Sequence, residues 1–349
     1  MPKRKYSDDQ YLEVRRLVED EGISKRRACK EVGIGYSAYV NWGGVILKRL
    51  DKVSVDNELT LPRFPDDDLT TEEILDHLSA TFDKKQQYQE SLRWFIINVK
   101  TDKPIGINWF GDPHLGSTGC NVPLLRRDIN IVKTTLGLYA ANIGDTVDNW
   151  GGRLLRLYSE SNISRDRERR LATWFLKEAN IPWVLWLLGN HDVMDGAFEA
   201  HLRAINANII PLVDWRARFK LRFSNGFEIK VDAAHDFKGH SLWNELHSLD
   251  RVALHDEYAH LYIAGHRHLC GTKQRELPGG LMTTLVRTRG YKFIDQYHDR
   301  VQFPHHTYGA SVVTVFDPTP RSACDIVHAF LNVEEGADFL TYKRKKYDS

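Results

Sequence analysis

The chain has little cysteine: Cys29, Cys120, Cys270 and Cys324, in 349 residues. The four are scattered and form no C-x-x-C pair. That excludes a disulfide scaffold and a cysteine zinc finger, and fits a reducing compartment. There is no run of about 18 apolar residues, so no membrane-spanning helix and no membrane partner are expected. The start, Met1-Pro2-Lys3-Arg4-Lys5, leads into polar residues rather than the apolar stretch of a signal peptide. A cytoplasmic location is the expectation. Neither sign of charge is in excess: 48 Lys and Arg face 47 Asp and Glu, net +1. A uniformly basic coat for nucleic acid is excluded, though a local basic module is not. With 42% hydrophobic residues, the chain is not disordered, and its length suits one large domain or two ordinary ones.

Charge divides the chain more sharply than the total suggests. Residues 1–50 carry eleven Lys and Arg against seven Asp and Glu, and residues 51–92 carry four against eleven. Pro62, Pro65 and Asp66-Asp67-Asp68 read as an exposed linker. Thr70 and Glu73 have capping-box spacing before a helix whose stripe is Ile74, Leu75, Leu78 and Phe82. The boundaries expected are a helical module over 1–50, an acidic linker and helix over 51–92, a large domain over 93–335 and a basic tail over 336–349. In the tail, Lys343-Arg344-Lys345-Lys346 reads as a solvated terminus. From Trp94–Ile97 onward, short apolar strands alternate with helical stretches: Ile105–Phe110, Leu138–Ile143, Trp183–Leu188, Phe227–Val231, Leu261–Ala264 and Ser311–Phe316. Most end in Gly, Asp, Asn or His. Polar carboxyl tips on apolar strands predict an α/β (α+β) fold with its site along one sheet edge.

In the first module the pattern predicts helix one over Asp8 to Glu21, with Tyr11, Leu12, Val14, Leu17 and Val18 inward. Ser24 is placed to cap a second helix ending at Val32, and Gly33-Ile34-Gly35 turns into a third from Tyr36. Cys29 and Gly33, four apart, let two helices cross closely. The stretch Ser24–Ser37 resembles the helix-turn-helix of site-specific recombinases and transposases. That resemblance implies a DNA partner, with Tyr36, Ser37, Tyr39 and Asn41 on the recognition helix. Lys25, Arg26, Arg27 and the Lys3–Lys5 arm would then meet phosphates. A protein-binding helical unit is the competing reading. The module suggests a homodimer and a mobile-element or phage setting.

Five segments hold the chemistry, and each follows an apolar run: Gly111-Asp112-Pro113-His114-Leu115-Gly116, Gly144-Asp145-Thr146-Val147-Asp148-Asn149, Gly189-Asn190-His191-Asp192, His235, and Gly265-His266-Arg267-His268. A lone Gly-Asp is usually a turn, and a lone His-x-His usually lies at the surface. All five in series are a different matter. Carboxylate, imidazole and amide oxygen together suit two divalent ions, Mn²⁺ with Fe or Zn²⁺ as alternatives. Two such ions would clamp a phosphoester and activate water for in-line attack.

The series G-D-x-H, G-D-x-x-D-N, G-N-H-D, H, G-H-x-H resembles the calcineurin-like metallophosphoesterase superfamily over residues 103–320. The fold implied is a β-sandwich flanked by helices. By the resemblance, Asp112, His114 and His268 hold one metal, Asp145 bridges, and Asn190, His235 and His266 complete the second site. His191 is then the general acid or stabilises the leaving oxygen, Asn190 also helps to hold the phosphoryl group, and Asp192 orients His191. His240 lies five residues beyond His235 as a rival ligand. Protein Ser/Thr phosphatases carry G-D-x-V-D-R-G and G-N-H-E; here Asn149 replaces the arginine and Asp192 the glutamate, which disfavours that branch. Asp112–Gly116 is similar to the D-x-H-L-G of double-strand-break-repair nucleases. Arg153, Arg156, Arg287, Arg289 and Lys292 are candidate phosphate contacts; Arg165, Arg167, Arg169 and Arg170 are too, but with Asp166 and Glu168 interleaved they read first as a solvated helix face. Trp150 and Trp243 are read as core residues before base-stacking ones. The sequence therefore points to a metal-dependent phosphodiesterase, a DNA nuclease carried by its first module. A small-molecule phosphoesterase and a non-catalytic DNA-binding scaffold are the alternatives.

Overall fold

The computed structural model describes residues 6–51, 68–161, 163–294 and 309–347. The Lys3–Lys5 arm and Pro62, Pro65, Asp66 and Asp67 of the expected linker lie outside them. The chain divides into two compact units, Met1–Asp76 and His77–Ser349.

The first unit contains α1 (Asp8–Glu19), α2 (Lys25–Val32) and α3 (Tyr36–Asp51). Ser7 caps α1 by accepting from Gln10 N, and the Gln10 side chain accepts from Ser7 N in return. Tyr11, Val14 and Leu17 share one face and are buried; Leu12, turned about 100° away, is exposed, and Val18 is half-buried. Gly33 ends α2 at φ 76°, the left-handed position that glycine takes without a Cβ clash. Ser24 precedes α2 but its side chain makes no capping bond. The small core joins Tyr11, Val14, Leu17, Ala28, Cys29, Ile34, Tyr39 and Ile46.

The helix α4 (Thr71–Ser91) begins with the Thr70–Glu73 capping pair, as Thr70 N donates to Glu73 Oε2 at 2.8 Å and Glu73 N to Thr70 Oγ1 at 3.3 Å. Its apolar stripe is present but exposed at Ile74, Leu75, Leu78 and Phe82.

The second unit is a mixed α/β sandwich of two six-stranded sheets. The strands are β1 (Phe95–Val99), β2 (Ile105–Phe110), β3 (Leu138–Asn142), β4 (Trp183–Leu188), β5 (Leu212–Asp214), β6 (Arg216–Phe223), β7 (Glu228–Ala234), β8 (Leu261–Ala264), β9 (Gly271–Leu277), β10 (Leu281–Arg287), β11 (Ser311–Phe316) and β12 (Val327–Phe330). One sheet runs β1-β6-β7-β8-β10-β9, the other β12-β11-β2-β3-β4-β5. Ile107, Trp109, Leu185 and Leu187 of the latter meet Phe219, Leu221, Val231 and Ile263 of the former in a shared core. The outer face of the second sheet packs on α5 (Val122–Thr134), α6 (Arg165–Thr173), α8 (Gly196–Asn206) and the C-terminal helix Val333–Tyr347. A single turn, α7 (Asn190–Val193), follows β4. The outer face of the first sheet packs on α9 (His247–His255). No helix among the described residues is long and apolar enough to cross a membrane.

The expected solvated tail is instead a docked helix. Val333, Ala337 and Leu340 are buried, Gly336 sits against Val313, Arg344 Nη1 donates to Pro104 O at 2.7 Å, and Lys343 pairs with Asp317 at 2.7 Å. The apolar side of this helix covers β11.

Candidate active site

Strands β2, β3 and β4 are adjacent and parallel, and so are β7 and β8. Parallel strands place their carboxyl ends on one edge, so the turns after all five meet there. Those turns hold left-handed backbone at non-glycine residues: Asp112 (φ 31°), His114 (44°), Asp145 (52°), Asn149 (39°), His266 (66°) and His268 (52°). Such conformations are costly and persist where surrounding structure enforces them. Two glycines make the approach possible. A Cβ on Gly189 would lie 2.2 Å from Asp145 Oδ1 and 2.7 Å from His235 Cε1; one on Gly144 (φ 108°) would lie 2.6 Å from Gly189 N.

The side chains converge on Asp145. Its Oδ2 lies 3.3 Å from His235 Nε2 and 3.9 Å from His114 Nε2. His235 Nε2 also lies 2.9 Å from Asn190 Oδ1 and 3.0 Å from His266 Nδ1. Asp112 Oδ1 lies 3.6 Å from His235 Nδ1, and the His268 ring centroid is 5.2 Å from that of His114. The ligand atoms of Asp145, His235 and His266 form one group within 4.8 Å, and those of His114, Asp145 and His191 another.

Hydrogen bonds fix which imidazole nitrogen faces inward. His235 Nδ1 donates to Ile143 O at 2.9 Å, and His114 Nδ1 to Asp148 Oδ1 at 2.8 Å. In the neutral rings the lone pairs are then on Nε2, toward Asp145. Asp112 Oδ2 accepts from His266 N at 2.7 Å, while its buried Oδ1 has no hydrogen-bond partner. Lone pairs, carboxylate oxygens and an amide oxygen crowded at these distances repel one another until a cation joins them. The donor set fits divalent metal: neutral imidazoles plus carboxylates suit Mn²⁺, Fe or Zn²⁺.

The electrostatics carry the same imprint. Burial pushes His235 down, but the Asp145 and Asp112 carboxylates outweigh it and hold its imidazolium up to about 10. Burial, with the His235 charge beside it, pushes His266 down to about 4. Burial raises Asp112 well above the usual carboxylate range, whereas at Asp145 the neighbouring imidazoles overcome burial and hold it well below. A proton on His235 neutralises part of the charge that a divalent ion would neutralise.

His191 adds a group at the rim. Its backbone N donates to Asp145 Oδ1 at 2.9 Å and its Nδ1 donates to Asp148 O. The ring stands edge-on to His114 (4.9 Å) and to Trp150 (4.8 Å), and Nε2 is the nitrogen not engaged by Asp148. The hydrogen bond that orients that ring is accepted by Asp148 O rather than by the Asp192 carboxylate. That carboxylate accepts from Gly189 N at 2.9 Å and Thr146 N at 3.0 Å, tying two site turns together. Burial and the Asp145 charge push Asp192 up to about 6.

Sequence reasoning assigned no role to Asp148, although it lies in the second motif. It orients His114 and pairs with Lys292 Nζ at 3.3 Å. The His114 bond and Lys292 outweigh its burial and hold it well below the usual range. Arg287 is not a phosphate contact: buried at 2% exposure, it binds Asp236, Gly265 O, Glu245 O and Ser248. Glu168, within the arginine-rich stretch, is buried and accepts from Asn149 N at 3.3 Å. Arg165 pairs with Asp195 at 2.9 Å. The Arg153 side chain lies outside the described set. His240 is exposed, whereas His235 is fully buried in the cluster. Trp243 is 94% exposed, which overturns its reading as a core residue.

In the first unit, Lys25, Arg26 and Arg27 are exposed on α2, and Tyr36, Ser37 and Asn41 on α3. Arg27 pairs with Glu31 at 3.0 Å and Arg26 lies over the Tyr36 ring. Tyr39 is a correction: it is buried and stacks on Tyr11 at 6.1 Å, so its ring serves the core rather than DNA.

No family model matches the sequence, and no curated protein matches it. Solved structures do. The chain is similar to the NAD nucleotidase NadN of Haemophilus influenzae, at 10% identity and TM-score 0.38, over 65% of this chain and 49% of that one. It is similar to a 5'-nucleotidase precursor from Thermus thermophilus at 11% identity and TM-score 0.37, over 70% and 58%. It is also similar to the calcineurin-like phosphoesterase YfkN from Bacillus subtilis at 11% identity and TM-score 0.36, over 70% and 97%. The chain spans about half the length of the first two.

Proposed function

We propose that this chain is a two-metal phosphoesterase that hydrolyses phosphodiesters, with DNA as its substrate. One observation carries the chemistry: imidazole nitrogens, two buried carboxylates and an amide oxygen from five turns gather around Asp145. Asp112, His114 and His268 would hold one ion, Asn190, His235 and His266 the other, with Asp145 between them. When bound, the ions supply charge neutralisation at the phosphoryl oxygens and lower the pKa of an attacking water.

The remaining work belongs to the chain. The Ile143 and Asp148 acceptors lock the His235 and His114 rings in one tautomer. The Asn190 side chain, whose Oδ1 lies 2.9 Å from His235 Nε2, would donate through its amide nitrogen to a phosphoryl oxygen. His191, held through Nδ1, keeps Nε2 for a proton on the leaving oxygen. Asp192 fixes the Gly189 and Thr146 turns that set these distances.

The DNA substrate rests on the first unit, where exposed Lys25, Arg26, Tyr36, Ser37 and Asn41 stand on consecutive helices across a tight glycine turn. The test is Mn²⁺-dependent hydrolysis of labelled single- and double-stranded DNA, with Asp145→Asn as the blank. Cleavage that vanishes in the variant is the expected result. Hydrolysis of bis(p-nitrophenyl) phosphate without DNA cleavage would keep the chemistry and replace DNA by a small ester. No hydrolysis of either would overturn the reading.

A further inference from the structure

The loop from Asp236 to Leu246 leaves β7 directly after His235 and carries an exposed Leu242 (78%) and Trp243 (94%) at its tip. Its two ends are fixed. Phe237 and Leu246 are buried in one core cluster. The Arg287 guanidinium binds Asp236 Oδ1 at 3.1 Å, Glu245 O at 2.8 Å and Gly265 O, so one buried cation joins both ends of the loop to the turn carrying His266 and His268. Arg267, between those two histidines, pairs with Asp236 at 2.9 Å, and Trp215 Nε1 donates to Asp236 O at 2.9 Å. Within the tip, Trp243 N donates to Ser241 Oγ and Leu246 N to Asn244 Oδ1. Both ends of the loop are therefore tied to the turn that carries His266 and His268, while Leu242 and Trp243 between them are exposed.

A tryptophan left in water forgoes the burial that normally stabilises it. We propose that Trp243 stacks on a base of a single-stranded polynucleotide whose backbone enters the site. The inference rests on the phosphodiesterase reading above, which supplies the backbone. An indole is the group that stacks on any base without regard to sequence. Lys238, exposed on the same loop, adds a cation there for the phosphates of a polyanion.

The experiment is a cycle of protein and ligand changes. Binding of the full-length, metal-free protein to a fluorescent oligo-dT is measured by anisotropy for wild type, Trp243→Ala and Trp243→Phe. Each is repeated with an oligonucleotide holding a run of abasic sites. Stacking on one base corresponds to roughly a tenfold change in affinity. Wild type is expected to lose about tenfold on the abasic ligand and Trp243→Ala about tenfold on oligo-dT. The two losses should not add, and Trp243→Phe should recover most of the affinity. Equal losses for Trp243→Ala on both ligands, or no loss on either, would overturn the proposal. So would a wild type whose sedimentation falls from dimer to monomer in Trp243→Ala, since the tip would then join two copies. Because binding is read without metal, a positive cycle with no hydrolysis would retain the stacking surface and sink the chemistry instead. Trp243 is almost wholly exposed, and thermal melts of both variants should match wild type.

Discussion

Gly189→Ala tests the idea that close backbone approach sets the site. The added Cβ would lie 2.2 Å from Asp145 Oδ1, 2.5 Å from Asp145 N and 2.7 Å from His235 Cε1. None of these is the free end of a flexible side chain: one is backbone, and the other two belong to buried groups fixed by hydrogen bonds. Asp145 must therefore move by about 0.8 Å to restore a 3.0 Å contact. Displacement of about 1 Å can cost on the order of 10²-fold in rate. Overpacking of this kind costs about 1–3 kcal/mol, a drop of a few degrees in Tm. The assay is Mn²⁺-dependent hydrolysis of bis(p-nitrophenyl) phosphate, with a thermal melt alongside. The expected result is kcat/KM down at least about a hundredfold in a protein that still melts cooperatively. Gly196→Ala is the control, because nothing lies within 4 Å of its Cβ. If Gly189→Ala retained wild-type activity, the geometric argument would fail.

Four further predictions concern Asp192, His260, Tyr39 and Arg26. Asp192→Ala strips the buried Gly189 and Thr146 amides of their acceptor; urea denaturation should show a loss of about 2–5 kcal/mol, and a loss near zero would contradict the tying role. His260 Nδ1 accepts from Lys230 N at 2.9 Å, and burial pushes the ring down to about 4. The stability it contributes is complete above its unfolded value of about 6.5 and lost as pH falls toward 4. His260→Gln should therefore flatten the acid limb of a stability–pH profile over that window, and an unchanged limb would refute the assignment. In the first unit, Tyr39→Ala should cost about 3 kcal/mol through lost packing. Arg26→Gln should leave the fold intact and reduce the slope of log K against log salt for DNA by about 1; an unaltered slope would remove Arg26 from the phosphate contacts.

The fold was legible where strands are buried on both faces. Leu261–Ala264 is a continuous apolar run, and Ile105–Phe110 is one but for the buried Asn108, because each lies inside its sheet. The strand β6, Arg216–Phe223, escaped notice because it alternates basic and apolar residues, its Arg216 and Arg218 pairing with Asp232 and Asp256. The edge strand β9 is polar along most of its length and has no apolar signature to find. The candidate site was legible as motifs, since each gathers chemistry beside a glycine. What joins the motifs was not. Asp192 gripping the Thr146 amide, Asp148 turning His114 and Arg287 clamping two loops all depend on partners distant in sequence. The tail misled for another reason: four basic residues in a row read as solvated, yet Leu340 and Ala337 anchor the helix that carries them.

The central claim is that Asp145 stands between two ions. The most direct test is metal content by elemental mass spectrometry after loading with Mn²⁺ and desalting, for wild type, Asp145→Asn and the remote control Gly196→Ala. Wild type and control should each retain two equivalents per chain, and Asp145→Asn should fall below one while remaining folded. Wild type with no retained metal, or Asp145→Asn with a full complement, would contradict the account.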